Sequence, residues 1–80
     1  MKLKILYFGM IADSVEKESE EYSFDEGETV KELREHLESR YEGLNERSFR
    51  IALNKNLVQK EDTPLKDNAE IALLPAFAGG

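Results

Sequence analysis

The residues of this chain best suited to chemistry are its last two, Gly79-Gly80, which end in a carboxylate and follow Ala76-Phe77-Ala78, a stretch without a charged side chain. A Gly-Gly end arises by chance in roughly 0.5% of chains, so the pair carries weight only through its setting. It lies just beyond Pro75, which should end a strand because proline has no N–H to give a continuing ladder. Five extended residues reach at most ~16–18 Å, enough to thread a narrow channel in another protein. Glycine suits that task, because without a Cβ it lets another backbone or a phosphate come close. A free carboxylate is a poor electrophile. Acyl chemistry at Gly80 therefore needs one carboxylate oxygen turned into a leaving group, for example by adenylation with ATP. A thiol or persulfide then attacks the acyl carbon, the first step toward a thiocarboxylate. The chain has neither a Walker-type phosphate loop nor a dinucleotide-binding glycine pattern. The activating catalyst, and the ATP it uses, must belong to a partner, and no cofactor is expected on this chain itself.

Composition narrows the chemistry further. There is no cysteine, which removes disulfides, thiol nucleophiles and Cys-based zinc sites together. Any sulfur carried here must sit on the carbonyl carbon of Gly80. The single histidine, His36, lies well off the apolar stripe of its helix and is read as a solvated surface residue rather than a ligand or base. The acidic run Glu16, Glu18, Glu20 and Glu21 lacks the spaced Asp/Asn-Gly pattern of a calcium loop and is read as a solvated face, so no metal site is expected.

Net charge is −6, and no basic stripe is available to neutralise phosphates, which argues against nucleic acid and against anionic membrane surfaces. A protein partner with a basic face fits better. No apolar run approaches the ~20 residues of a membrane span. The start, Met1-Lys2-Leu3-Lys4, enters a strand-like pattern with no leader signature, so a cytoplasmic location is expected. At 80 residues, 40% hydrophobic and 35% charged, the chain is read as one globular domain with a modest core and no deep substrate cleft.

Several elements must position the terminus. Lys2–Phe8 is rich in β-favouring residues and predicts a first strand. Gly9–Val15 has room for a short helical turn, and Glu21–Phe24 alternates as a second strand. Asp25-Glu26-Gly27-Glu28 is a turn. Thr29 then precedes Glu32 at the capping-box spacing, and Val30, Leu33, Leu37 and Tyr41 recur at helical intervals. Gly43 is the expected stop, with Leu44 packing back beneath the helix. The helix pairs Glu32/His36 and Arg34/Glu38 need no role beyond local support. Phe49–Leu53 predicts a third strand, Asn54-Lys55-Asn56 a tight connection to Leu57-Val58, and Glu70–Leu74 a last strand closed by Pro75. One helix across one face of a mixed sheet is an α+β, β-grasp arrangement. It assigns residues 1–75 to the domain and 76–80 to an extended tail.

Strand parity refines this. Leu3, Ile5 and Tyr7 share one face, and Leu6 and Phe8 the other; likewise Ile71 and Leu73 lie opposite Ala72 and Leu74. A single helix covers only one face. Two readings stay open for the second: Leu6, Phe8, Ala72 and Leu74 form an exposed docking patch, or residues 9–15 fold back over them. Phe8, Phe24 and Phe49 are read as core or edge packing. Phe77 has no route to the core and is read as an anchor in a partner.

The stretch from Ile51 to Val58, then Thr63 to Pro75, then Gly79-Gly80, resembles the small, sulfur-carrying subunit of molybdopterin synthase, the MoaD type of the MoaD/ThiS ubiquitin-like sulfur carriers. Lys4-Ile5-Leu6-Tyr7-Phe8-Gly9 is similar to that family's first strand. The likeness covers essentially the whole chain, with most of its specificity in the C-terminal third. It implies a ubiquitin-like fold in which Gly80 is adenylated by an E1-like enzyme and receives sulfur from a sulfurtransferase. The tail then enters the large catalytic subunit and delivers sulfur to cyclic pyranopterin monophosphate, for the dithiolene that binds molybdenum or tungsten. On that reading the chain is no catalyst alone. Gly80 is the carrier, and Gly79, Phe77, Pro75, Leu74, Phe8 and Leu6 meet the partners. The chain departs from the family in having one proline before the tail, in Phe77, and in lacking the frequent arginine near Ala12-Asp13. Three other classes are weighed: a modifier conjugated through Gly80 to lysines, a thiamine-pathway sulfur carrier, and a plain β-grasp interaction module.

Overall fold

A computed structural model describes residues 1–25, 27–45 and 49–75. The elements run β1 (Lys2–Tyr7), α1 (Gly9–Val15), β2 (Ser19–Ser23), α2 (Val30–Arg40), α3 (Glu42–Asn45), β3 (Phe49–Leu53), β4 (Asn56–Leu57) and β5 (Ala69–Pro75). The strands form one sheet in the order β2-β1-β5-β3-β4. Only the central β1–β5 pair is parallel; the other pairs are antiparallel. This is the β-grasp arrangement expected from the strand–helix order.

Period-two burial explains the layers. Leu3, Ile5 and Tyr7 of β1 and Ala69, Ile71 and Leu73 of β5 turn inward, where Val30, Leu33 and Leu37 of α2 meet them in one cluster. The α2 stripe predicted from spacing is the face that packs. Its N-terminus is doubly secured. The capping box is present, with Thr29 N donating to Glu32 Oε1 at 2.9 Å and Glu32 N to Thr29 Oγ1 at 3.4 Å. Two further helix donors find partners across the chain, Val30 N on Thr63 O at 3.0 Å and Lys31 N on Glu61 O at 2.8 Å. Helix N-termini carry unpaired donors that need such acceptors. Arg34 reaches the same loop, its Nε 2.6 Å from Glu61 Oε1, although the N–H is not aimed at that oxygen, while its guanidinium lies over the Phe49 ring at 4.9 Å.

The helix does not run to Gly43. Tyr41, with φ −122°, is the C-cap of α2, and Gly43 sits inside α3. A Cβ at Gly43 would lie 3.0 Å from Ser14 Cβ and 3.2 Å from Ser14 O. The glycine is there to let α3 approach α1, not to end α2. Leu44 is buried beneath, as expected. Residues 9–15 form a full helix whose Ile11 and Val15 join the inner core, so α1 packs on the helical side and does not close over Leu6, Ala72 and Leu74. The β3–β4 turn is Asn54-Lys55, both at positive φ (49° and 73°), the left-handed pair of a two-residue hairpin. Asn54 also exchanges bonds with β5, its N donating to Glu70 O at 2.8 Å and its Oδ1 accepting from Glu70 N at 2.9 Å.

The acidic run is not a simple solvated face. β2 begins at Ser19, and its register sets Glu20 opposite Ile5 and Tyr22 opposite Leu3, which turns Glu20 inward beside Tyr22.

Candidate functional site

Strand β5 runs through the middle of the sheet and delivers the chain to Pro75, where the described structure ends. Gly80, Gly79 and Phe77 lie outside the described residues. Their base is well placed to be steady, because β5 is paired on both sides, with β1 and with β3. At its end the Phe8 amide donates to Leu73 O at 3.2 Å. Pro75 leans on Gly9: a Cβ there would come 3.2 Å from the proline Cγ, and Gly9 has φ +54°. Both facts call for glycine, since a side chain would strain the backbone and push the proline aside.

The sheet face away from the helices runs up to this end of β5. Register puts Leu6 beside Ala72, Ala72 beside Ala52, Leu74 beside Arg50 and Ala52 beside Leu57. Leu6, Ala72 and Leu74 are half-buried, Pro75 is exposed, Phe8 is 44% exposed and Leu57 50%. Lys4 lies between Glu21 and Glu70 on the same face. The structure thus brings Leu6, Leu74 and Pro75 together with Phe8 at the rim, an apolar strip with alternating charges beside it. Phe24 and Phe49 are core residues, unlike Phe8.

Sequence reasoning missed a polar hub on the opposite side of β1. Glu20 Oε2 accepts from the Tyr7 hydroxyl at 2.5 Å and from the Tyr41 hydroxyl at 2.6 Å, and Glu20 Oε1 lies 3.5 Å from Arg40 and 3.6 Å from Lys17. The Tyr7 and Tyr41 rings meet edge-on at 6.2 Å, and the Lys17 and Arg40 cations lie 5.5 and 5.4 Å from the Tyr41 ring centroid. Burial pushes the Glu20 carboxyl up, but the hydroxyls of Tyr41 and Tyr7, with Arg40 and Lys17, outweigh it and hold the group below the usual range. Burial, and then the Glu20 carboxylate, push the Tyr7 phenol far above its ordinary value. Parity carries the overlooked signal: counting two residues back from inward-facing Tyr22 places Glu20 inward as well.

His36 is exposed, its ring edge-on to Tyr22 with the centroids 5.2 Å apart. Among the described residues no three His, Cys, Asp or Glu side chains gather as a metal site, and no helix is long and apolar enough to cross a membrane.

A mixed sheet grasping one main helix, with its central strand β5 ending at Pro75, defines a ubiquitin-like β-grasp protein. Residues 5–80 match the model of the ThiS family, and the chain belongs to that family, the ThiS/MoaD type of ubiquitin-like sulfur carrier. Among solved structures it is similar to a putative molybdopterin converting factor, subunit 1, from Pyrococcus furiosus, with a TM-score of 0.87 and 27% identity over 94% of this chain and 97% of that one. It also matches a chain of the complex of subunits 1 and 2 of the molybdopterin-converting factor from Helicobacter pylori, with a TM-score of 0.73 and 34% identity over 100% of both chains. Small archaeal modifier protein 1 from Haloferax volcanii shares the fold, with a TM-score of 0.84 and 16% identity over 100% of both chains.

Proposed function

We propose that this chain is the sulfur-carrier subunit of a molybdopterin synthase. An E1-like enzyme adenylates the Gly80 carboxylate with ATP. The persulfide sulfur of a sulfurtransferase attacks the acyl carbon and displaces AMP, and a second thiol then cleaves the resulting acyl disulfide, forming a disulfide with the donor's sulfur and leaving the thiocarboxylate. The tail then enters the large subunit and gives the sulfur to cyclic pyranopterin monophosphate. The chain is a substrate of its partners in this scheme, not a catalyst alone, and the ATP-dependent steps place it in the cytoplasm. Gly79 supplies close approach, Phe77 anchors in the partner, and Pro75, Leu74, Phe8 and Leu6 form the docking surface at the base of the tail. The observation that supports this most is the 34% identity, over the full length of both chains, with a chain of a two-subunit molybdopterin-converting factor.

The test is intact mass after expression in a host with sulfur-loading machinery. A carrier yields a species heavier by about 16 Da, the difference between sulfur and oxygen, and restores molybdopterin formation when mixed with a large subunit. Deleting Gly79-Gly80 should abolish both. Ladders of lysine-conjugated protein, with no sulfur-bearing species, would point instead to a modifier using the same glycine.

A further inference from the structure

A shallow groove runs between the end of β1 and the outer side of α1, with Leu6, Phe8 and Ala12 as its apolar floor and Asp13, Glu16 and Glu18 around it. Leu6 and Ala12 are half-buried, Phe8 is exposed, and neighbouring Met10 is 51% exposed. The three carboxylates are exposed, and none forms an ion pair with a described residue. Lys17, which also lines the groove, is held by Glu20 and faces the Tyr41 ring. The charge left unanswered in the groove is therefore negative. Three like charges so close in sequence repel one another unless a cation answers them.

Glu16 sharpens the point. It caps α1 at φ 61°, its N–H on Ala12 O, in the left-handed conformation. Glycine takes that position freely, whereas a Cβ crowds the neighbouring backbone there. A carboxylate is held at the groove's edge against local preference. The groove also adjoins the end of β5 through the Phe8–Leu73 bond and the Gly9–Pro75 contact. The open sheet face differs, since there Lys4 and Arg50 accompany Glu21 and Glu70.

We infer that this groove docks a protein segment that sets an aliphatic or aromatic side chain between lysine or arginine side chains. The apolar side chain covers Phe8 and Leu6, and the cations meet Asp13, Glu16 and Glu18. Polyanions are turned away by the same charges. The inference rests on the docking role proposed above for Phe8 and Leu6, and adds to it the charge of the segment that meets them; the sulfur-loading test is independent of it.

The experiment titrates the isotope-labelled full chain by NMR with a blocked peptide carrying leucine and phenylalanine flanked by lysines and arginines. Two control peptides replace the basic residues with glutamate or the apolar pair with glycine. Amide shifts should concentrate between Phe8 and Glu18, be absent with the glutamate peptide, and weaken with the glycine one. Affinity should fall about tenfold in about 0.5 M salt, or when Asp13→Lys, Glu16→Lys and Glu18→Lys are combined. Glu16→Gly, which relieves the left-handed backbone and so keeps the fold, should lower affinity about threefold while raising the melting temperature. No shifts in residues 8–18, equal shifts at Glu32, Glu35 and Glu38 of α2, or wild-type affinity in the Lys or Gly variants would overturn the inference.

Discussion

The Tyr41 hydroxyl donates a 2.6 Å hydrogen bond to Glu20 across 21 residues of sequence, joining the end of α2 to edge strand β2. The same oxygen takes the Tyr7 hydroxyl from β1. One carboxylate thus ties the first hairpin to the helix that crosses it.

Removing that tie should be costly. Glu20 is 10% exposed at its side chain, and hydrogen bonds to a charged acceptor contribute about 1.5–3 kcal/mol. Glu20→Ala strands two tyrosine hydroxyls and should lose about 2–3 kcal/mol in urea denaturation. Glu20→Gln keeps an acceptor but loses the cations, and about 1 kcal/mol is expected. Equal losses in the two variants would show that charge, not hydrogen bonding, dominates.

The hub also sets the pH window. Glu20 is held below its unfolded value, so its contribution is complete above about pH 4.3 and is lost as pH falls through the lower folded value. Tyr7 is raised, so its contribution is complete below about pH 10 and is lost as pH climbs beyond that. Urea midpoints should be flat near neutrality and drop on both sides. Glu20→Gln should flatten the acid limb and Tyr7→Phe the alkaline one.

Gly43→Ala sets two effects against each other. Alanine improves helix propensity by about 1 kcal/mol, but its Cβ meets Ser14 Cβ at 3.0 Å and Ser14 O at 3.2 Å. The contact includes backbone, which yields little, and overpacking costs about 1–3 kcal/mol. A net loss near 1 kcal/mol is expected by thermal melting; a gain would mean that α1 and α3 can separate freely.

Lys55→Gly should stabilise the hairpin. Lysine at φ 73° carries a left-handed penalty of about 1–2 kcal/mol, larger than the 0.5–1 kcal/mol that glycine's extra unfolded-state freedom costs. A rise of about 0.5 kcal/mol is expected in denaturant titrations.

Leu74→Asp should separate docking from folding. Leu74 is half-buried and faces Arg50 across the strands, so the aspartate gains a favourable neighbour. Stability should stay within about 1 kcal/mol, while co-elution with the large subunit is lost. A large fall in melting temperature would place Leu74 in the core instead.

Strand parity, the Thr29–Glu32 capping box and the Val30–Leu33–Leu37 stripe were legible in the sequence because they are local. Each depends on spacings of two, three or four residues, which the backbone converts directly into faces. The same locality made Leu6, Ala72 and Leu74 readable as one face. Gly43 was misread for the same reason. A glycine after a helical stripe looks like a cap until the third dimension brings Ser14 against it.

What the sequence determined by itself was the order of the strands and main helix, the inner and outer faces of the sheet, and a chain without a thiol. Tertiary structure alone decided which groups meet Glu20 once parity turns it inward, that α1 packs with the helices and leaves the second face open, and that Pro75 at the end of β5 packs against Gly9. These are contacts between residues far apart in the chain. No local periodicity names these partners: Tyr7 and Tyr41 reach Glu20 through the β1–β2 pairing and the end of α2, and Pro75 reaches Gly9 because β1 and β5 pair in parallel.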